Sequence, residues 1–153
     1  MDGMRNRDWD ELAAMAEKAM KRAYAPYSRF RVGCALLAAD GSIHLGCNVE
    51  NAAYGPTICA ERTALFRAIA DGHAPGSFRA LAVIGDTGEP IAPCGTCRQV
   101  MVELCPPDMP VILCSTNGRR RVTTVGELLP GAFTLAFRDR PENAGRGEAD
   151  GRE

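Results

Sequence analysis

Seven cysteines carry most of the reactive chemistry in this 153-residue chain, and three of them stand in patterned positions. Pro93-Cys94-Gly95-Thr96-Cys97 holds two thiols three residues apart, and Cys59-Ala60-Glu61 lies 35 residues upstream. On a helix, positions i and i+3 share a face, so Cys94 and Cys97 point the same way. With Cys94 in a first helical turn, both thiols surround the positive end of the helix dipole, which favours thiolate and metal ligation. Cys59 falls at a second expected helix start, just after Thr57. Two such helix ends facing each other supply three thiolates and leave the fourth tetrahedral position open. Three protein ligands plus a water is the pattern of catalytic zinc, whereas structural zinc takes four protein ligands.

Glu61 gains a role from the same geometry. Positions i and i+2 lie about 200° apart around a helix, so Glu61 and Cys59 converge only on something beyond the helix end. A carboxylate there can move the proton of a water whose pKa zinc brings to around 7. Three thiolates oppose that effect by donating charge, which makes Arg62 the cation to expect beside them. The residues leave other readings open. A C-x-x-C pair also serves redox chemistry, although here no strand leads directly into the motif. A structural zinc would need a fourth ligand from His44, His73, Cys34, Cys47, Cys105 or Cys114. Cys34, Cys47 and Cys114 lie in apolar strands, where cysteine packs as a small hydrophobe, and Cys105 follows a helix at the wrong end. Glu61 alone also suits a solvated acid at a helix start.

The elements that must position these groups follow from periodicity. Asp8 to Ala25 reads as an amphipathic helix stopped by Pro26. Arg31–Ala39 and Ser42–Val49 read as strands joined by Asp40-Gly41, a strong signal for a tight hairpin. A second helix is expected from Thr57 to about Asp71, closed by Gly72. Phe78–Gly85 and Pro110–Ser115 read as buried strands, with a short helix from Cys94 to Leu104 between them. Asn117-Gly118 then turns the chain into a last strand, Arg120–Thr124, and a helical turn over Val125–Leu129. This order predicts a mixed sheet flanked by helices. Residues 1–137 form one domain on this reading, and 138–153, rich in charge and poor in apolar residues, a disordered tail.

Composition narrows the class further. A mass of 16.4 kDa with 46% hydrophobic residues is enough for one core without covalent staples, and an odd cysteine count argues against a closed disulfide set. The formal net charge is −1, which argues against a dedicated nucleic-acid binder. The polar start, MDGMRNRDWDELAAM, is unlike a signal peptide, and no apolar run is long enough for a membrane span. A cytoplasmic location, with reduced thiols, is therefore expected.

Beyond the cysteines, several segments resemble cytidine deaminase: Tyr27-Ser28-Arg29-Phe30-Arg31-Val32-Gly33, Asn48-Val49-Glu50-Asn51-Ala52-Ala53-Tyr54-Gly55, Thr57-Ile58-Cys59-Ala60-Glu61-Arg62 and Leu128-Leu129-Pro130-Gly131-Ala132-Phe133. Together with Pro93-Cys94-x-x-Cys97 they cover the chain from about Ala13 to Phe133. The resemblance implies a three-layer α/β/α sandwich on a mixed five-stranded sheet. It implies one zinc per subunit on Cys59, Cys94 and Cys97, with Glu61 as proton shuttle. Asn48 and Glu50 would hold the ribose hydroxyls, as an amide and a carboxylate at i and i+2 on a strand end suit a vicinal diol. Ala60 would read the pyrimidine through its backbone and Phe30 would line the pocket. Phe133 would stack on the base from a neighbouring subunit, with Tyr54 near a neighbour's site, in a homotetramer. The implied reaction is hydrolytic deamination of cytidine and 2′-deoxycytidine, with salvage of pyrimidines as its setting. Another small cytosine compound, such as blasticidin S, is the alternative substrate, and a structural zinc module the alternative from another class.

Overall fold

The computed structural model describes residues 6–135, and the tail expected over 138–153 lies outside them. Nine elements follow in the order α1 (Asn6–Met20), β1 (Val32–Ala38), β2 (Ile43–Cys47), α2 (Ala60–Ala70), β3 (Phe78–Gly85), α3 (Gly95–Leu104), β4 (Pro110–Ser115), β5 (Arg120–Thr124) and α4 (Val125–Leu128). The strands form one sheet in the order β2-β1-β3-β4-β5, mixed because β3 and β4 run parallel while every other neighbouring pair is antiparallel.

The alternation of side chains along β1, β3 and β4 splits the core into two layers. Cys34, Leu36, Leu81, Val83, Val111 and Leu113 face α2, α3 and α4, meeting Ala64, Leu65, Met101 and Val125. Ala35, Ala82, Ile84 and Ile112 face the other way, onto Leu12, Ala16 and Met20 of α1. This is the expected three-layer α/β/α sandwich. Glycines set the spacing of the layers. A Cβ on Gly33 would stand 2.0 Å from the Ala16 carbonyl oxygen, and one on Gly46 would stand 2.3 Å from that of Ala60. Each helix backbone therefore rests directly on the strand beneath it. The expected hairpin is present, with Gly41 supplying the left-handed residue at φ 88° and Asp40 Oδ1 accepting from the Ser42 N–H at 2.9 Å.

Two helix boundaries differ most from the sequence reading, and both differences bring chain to the site. The first helix ends at Met20 and not near Ala25. Pro26 disfavours helical torsions in the residue before it, and the strand-end groups near Val49 offer Tyr24 better partners. Tyr24 donates to the Asn48 carbonyl at 3.0 Å and accepts from Glu50 N–H at 2.8 Å. The second helix begins at Ala60, so Thr57 is not its cap; Ile58 instead exchanges two backbone hydrogen bonds of 3.0 Å with Val49. Val49 thus bridges Tyr24 on one side and Ile58 on the other.

Candidate active site

Both helices that gather the thiols begin on a cysteine. Cys59 is the N-cap of α2 (φ −77°, ψ 156°) and Cys94 the N-cap of α3 (φ −66°, ψ 164°), and neither side chain caps its own helix. Cys97 follows one turn into α3 and is buried. The three Sγ atoms lie within 4.8 Å of one another, with Cys59 and Cys94 3.7 Å apart. None is disulfide-bonded. Sulfurs on a tetrahedral zinc with Zn–S bonds of about 2.3 Å are separated by roughly 3.8 Å, so the donor set fits that ion in type and spacing. Among the described residues no fourth histidine, cysteine or carboxylate joins this cluster. His44 is engaged elsewhere, with Asp71 at 3.1 Å and Ser42 at 3.2 Å, and His73 lies beside it with its ring centroid 4.6 Å away. Cys34, Cys105 and Cys114 are buried thiols, and burial pushes Cys105 up to about 12 and Cys114 to about 11. Among the described residues, no fourth ligand for a structural site is supplied.

Glu61 occupies the first turn of α2 with 4% of its surface exposed. The Cys97 thiol donates to its Oε2 at 3.7 Å, so the carboxylate does face the sulfur cluster beyond the helix end. Burial raises the carboxyl above its ordinary range, and the negative charge of Cys59 adds to the effect. Arg62 donates from Nη2 to Cys59 Sγ at 3.3 Å, as the charge argument requires, while its Nε–H is buried without an acceptor among the described residues. Hydrogen bonds from the Cys97 thiol and from Arg62 bring Cys59 down to about 5, and the same interaction with Cys59 moves Cys97 upward. One negative charge thus settles on Cys59, next to the guanidinium that balances it.

A cleft of about 510 Å³ opens over this cluster, reaching Phe30, Asn48, Glu50, Ala60, Glu61 and the sulfurs of Cys59 and Cys94. Asn48 and Glu50 line it, and both also shape the loop before β1. Asn48 Oδ1 accepts from Val32 N–H at 2.8 Å and its Nδ2 donates to the Phe30 carbonyl at 2.7 Å. Glu50 Oε1 accepts from Tyr27 and Ser28 N–H groups at 3.0 and 3.1 Å, and a hydrogen bond with the Ser28 side chain, aided by these backbone bonds, holds its carboxyl below the ordinary range. Arg29 between them adopts a left-handed conformation (φ 57°), which turns the chain before Phe30. Tyr54 is 81% exposed and lines an adjoining recess of about 320 Å³ that shares Ser28, Glu50 and Thr57 with the cleft. Phe133 is 70% exposed and is not among the cleft's lining residues; the Gln99 amide holds its carbonyl at 2.9 Å. Ile91 and Ala92 contribute to the cleft wall and were missed. Apolar residues in a loop carry no sequence signal, so only the fold reveals them.

The model of the cytidine and deoxycytidylate deaminase zinc-binding region matches residues 7–113 of the chain. The chain belongs to this zinc-binding deaminase family. Its zinc-binding region spans all three clustered cysteines and Glu61. Over 127 residues the chain is 55% identical to a cytidine deaminase of Sporosarcina psychrophila, covering 83% of this chain and 92% of that one. A cytidine deaminase of Halalkalibacterium halodurans is 54% identical over 127 residues, covering 83% and 95%. Among solved structures, a crystal structure of cytidine deaminase from Burkholderia pseudomallei superposes with a TM-score of 0.80 at 55% identity, covering 85% of this deaminase chain and 100% of the other.

Proposed function

We propose that this deaminase hydrolyses cytidine and 2′-deoxycytidine to uridine and 2′-deoxyuridine with release of ammonia. The observation that carries the reading is the buried Glu61 carboxylate beside three converging sulfurs, with Cys59, Glu61 and Cys94 lining a cleft of about 510 Å³. Zinc held by Cys59, Cys94 and Cys97, one per subunit, supplies a Lewis acid that lowers the pKa of a water from about 15.7 to near 7. Glu61 accepts a proton from the attacking water, delivers it to N3 of the pyrimidine, and later protonates the leaving amine. The water oxygen adds at C4; Glu61 then carries the proton of the new hydroxyl to the amine, the C4–N bond breaks with release of ammonia, and the base, now a uracil, stays on its sugar. Arg62, donating to Cys59 Sγ, withdraws charge from the thiolate side so that the metal stays electrophilic.

Substrate contacts follow from atoms left over once the loop bonds are counted. Asn48 keeps one Nδ2 hydrogen and Glu50 keeps Oε2, a donor and an acceptor for ribose hydroxyls. Ala60 presents backbone to the pyrimidine amide and Phe30 packs beside the ring. Phe133 and Tyr54, exposed in the single chain, complete the sites of neighbouring subunits in a homotetramer. The enzyme works in the cytoplasm in pyrimidine salvage; in keeping with this, no described helix is long and apolar enough to cross a membrane.

Incubation of the zinc-loaded protein with cytidine tests the reading directly through the ultraviolet change of cytosine to uracil. An unchanged spectrum at full zinc occupancy would refute it. Glu61→Gln should keep its zinc and lose about 10²–10⁴-fold in kcat, the contribution of general acid–base catalysis. Near-normal turnover in that variant would remove Glu61 from its role.

A further inference from the structure

Cys94 differs from the other two clustered cysteines in how little surrounds it. Cys97 is buried and Cys59 half-buried, whereas Cys94 is exposed. Packing does not fix its sulfur, and no side-chain capping bond does so either. The placement of Cys94 depends on the two peptide planes that flank its Cα. Arg98 holds both. Its backbone N–H donates to the Cys94 carbonyl at 3.0 Å, a bond any residue would make at this point of a helix. Its side chain adds one that is not generic: Nε–H donates to the Pro93 carbonyl at 2.7 Å. That carbonyl belongs to the peptide whose nitrogen is Cys94 N, so fixing it fixes the plane from which Cys94 departs. The same guanidinium donates through Nη1 to the Leu128 carbonyl at 2.8 Å, at the end of α4. Braced at two points of a planar fork, it is held from swivelling away from Pro93.

We propose that Arg98 is a positioning residue of the metal site, holding Cys94 in ligating geometry through the Pro93 peptide. The inference rests on reading Cys59, Cys94 and Cys97 as the zinc ligands. Partners that orient a ligand in this way change metal affinity by about 10–100-fold when removed. Lysine offers a single point donor and cannot grip both carbonyls in one fixed geometry, so it does not substitute.

The test is the zinc dissociation constant of the full chain, measured by competition with a chromophoric chelator, together with the thiolate-to-metal absorption of the cobalt-substituted protein. Arg98→Ala and Arg98→Lys should weaken zinc about 10–100-fold and alter the cobalt band, with unchanged circular dichroism. Gln99→Ala, which removes a bond to Phe133 and none to the peptides of Cys94, should keep the wild-type constant. Wild-type zinc affinity and cobalt spectrum in a folded Arg98→Lys protein overturn the proposal, and that variant decides the matter if Arg98→Ala does not fold. An equal loss in Gln99→Ala also overturns it, since the effect would then belong to α3 as a whole. If zinc fails to protect Cys59, Cys94 and Cys97 of the wild-type chain from alkylation, the ligand assignment falls first and the proposal with it.

Discussion

Asn48 fastens the loop over Phe30–Val32 before it faces the cleft, and its two duties can be separated. Its oxygen satisfies Val32 N–H and its amide satisfies the Phe30 carbonyl. Leaving buried backbone groups unpaired costs about 1–3 kcal/mol each. Asn48→Ala should therefore lower the melting temperature and also raise KM for cytidine, read by thermal denaturation and steady-state kinetics. An unaltered melting temperature would mean that the loop holds without it. Glu50 likewise spends Oε1 on backbone, accepting from the Tyr27 and Ser28 N–H groups. The family resemblance directed attention to a diol here, and the spacing of these two residues suits one. Neither could reveal the loop bonds, because their partners, Tyr27 to Val32, lie some 16 to 23 residues away in sequence.

At the scale of elements, the sites of close approach matter more than helix propensity. Gly46 lies under α2, whose first residues include Glu61 and whose cap is Cys59. A methyl group there would meet the Ala60 carbonyl at 2.3 Å and Ala64 N at 2.5 Å, both backbone atoms that cannot step aside. Gly46→Ala should therefore destabilise the fold by about 1–3 kcal/mol, as overpacking does, and displace Cys59 relative to α3. Urea denaturation measures the first and metal affinity the second; full stability in the variant would show that α2 can ride outward freely. The sequence marked this strand pair through Asp40-Gly41 and marked β3 and β4 through uninterrupted apolar runs. It misplaced the end of α1 and the start of α2, because Tyr24 and Ile58 leave helical geometry to pair with Val49. Such bridges depend on distant partners, and helical periodicity is blind to them.

Among the described residues, Tyr54 at 81% and Phe133 at 70% are the most exposed aromatic side chains. Phe133 does not line the cleft of its own chain, and the proposed homotetramer would bring it to a neighbour's site. Phe133→Ala should raise KM several-fold and leave kcat and zinc content largely unchanged, with light scattering reporting a tetramer for the wild type. A monomeric wild type with full activity would refute site sharing. The spacing of the sulfurs has a consequence for how the protein forms. Cys59 and Cys94 stand 35 residues apart, and between them runs β3, which must insert between β1 and β4 before the two helix starts can meet. A zinc-finger peptide folds because metal binds it, whereas here the three sulfurs converge on a scaffold in which β3 lies between β1 and β4. Removing zinc with a chelator should thus leave the far-ultraviolet circular dichroism intact and lower only the melting temperature, in line with ligand linkage. Metal uptake during refolding then serves as a clock for the last step, registering when the central strand has found its place.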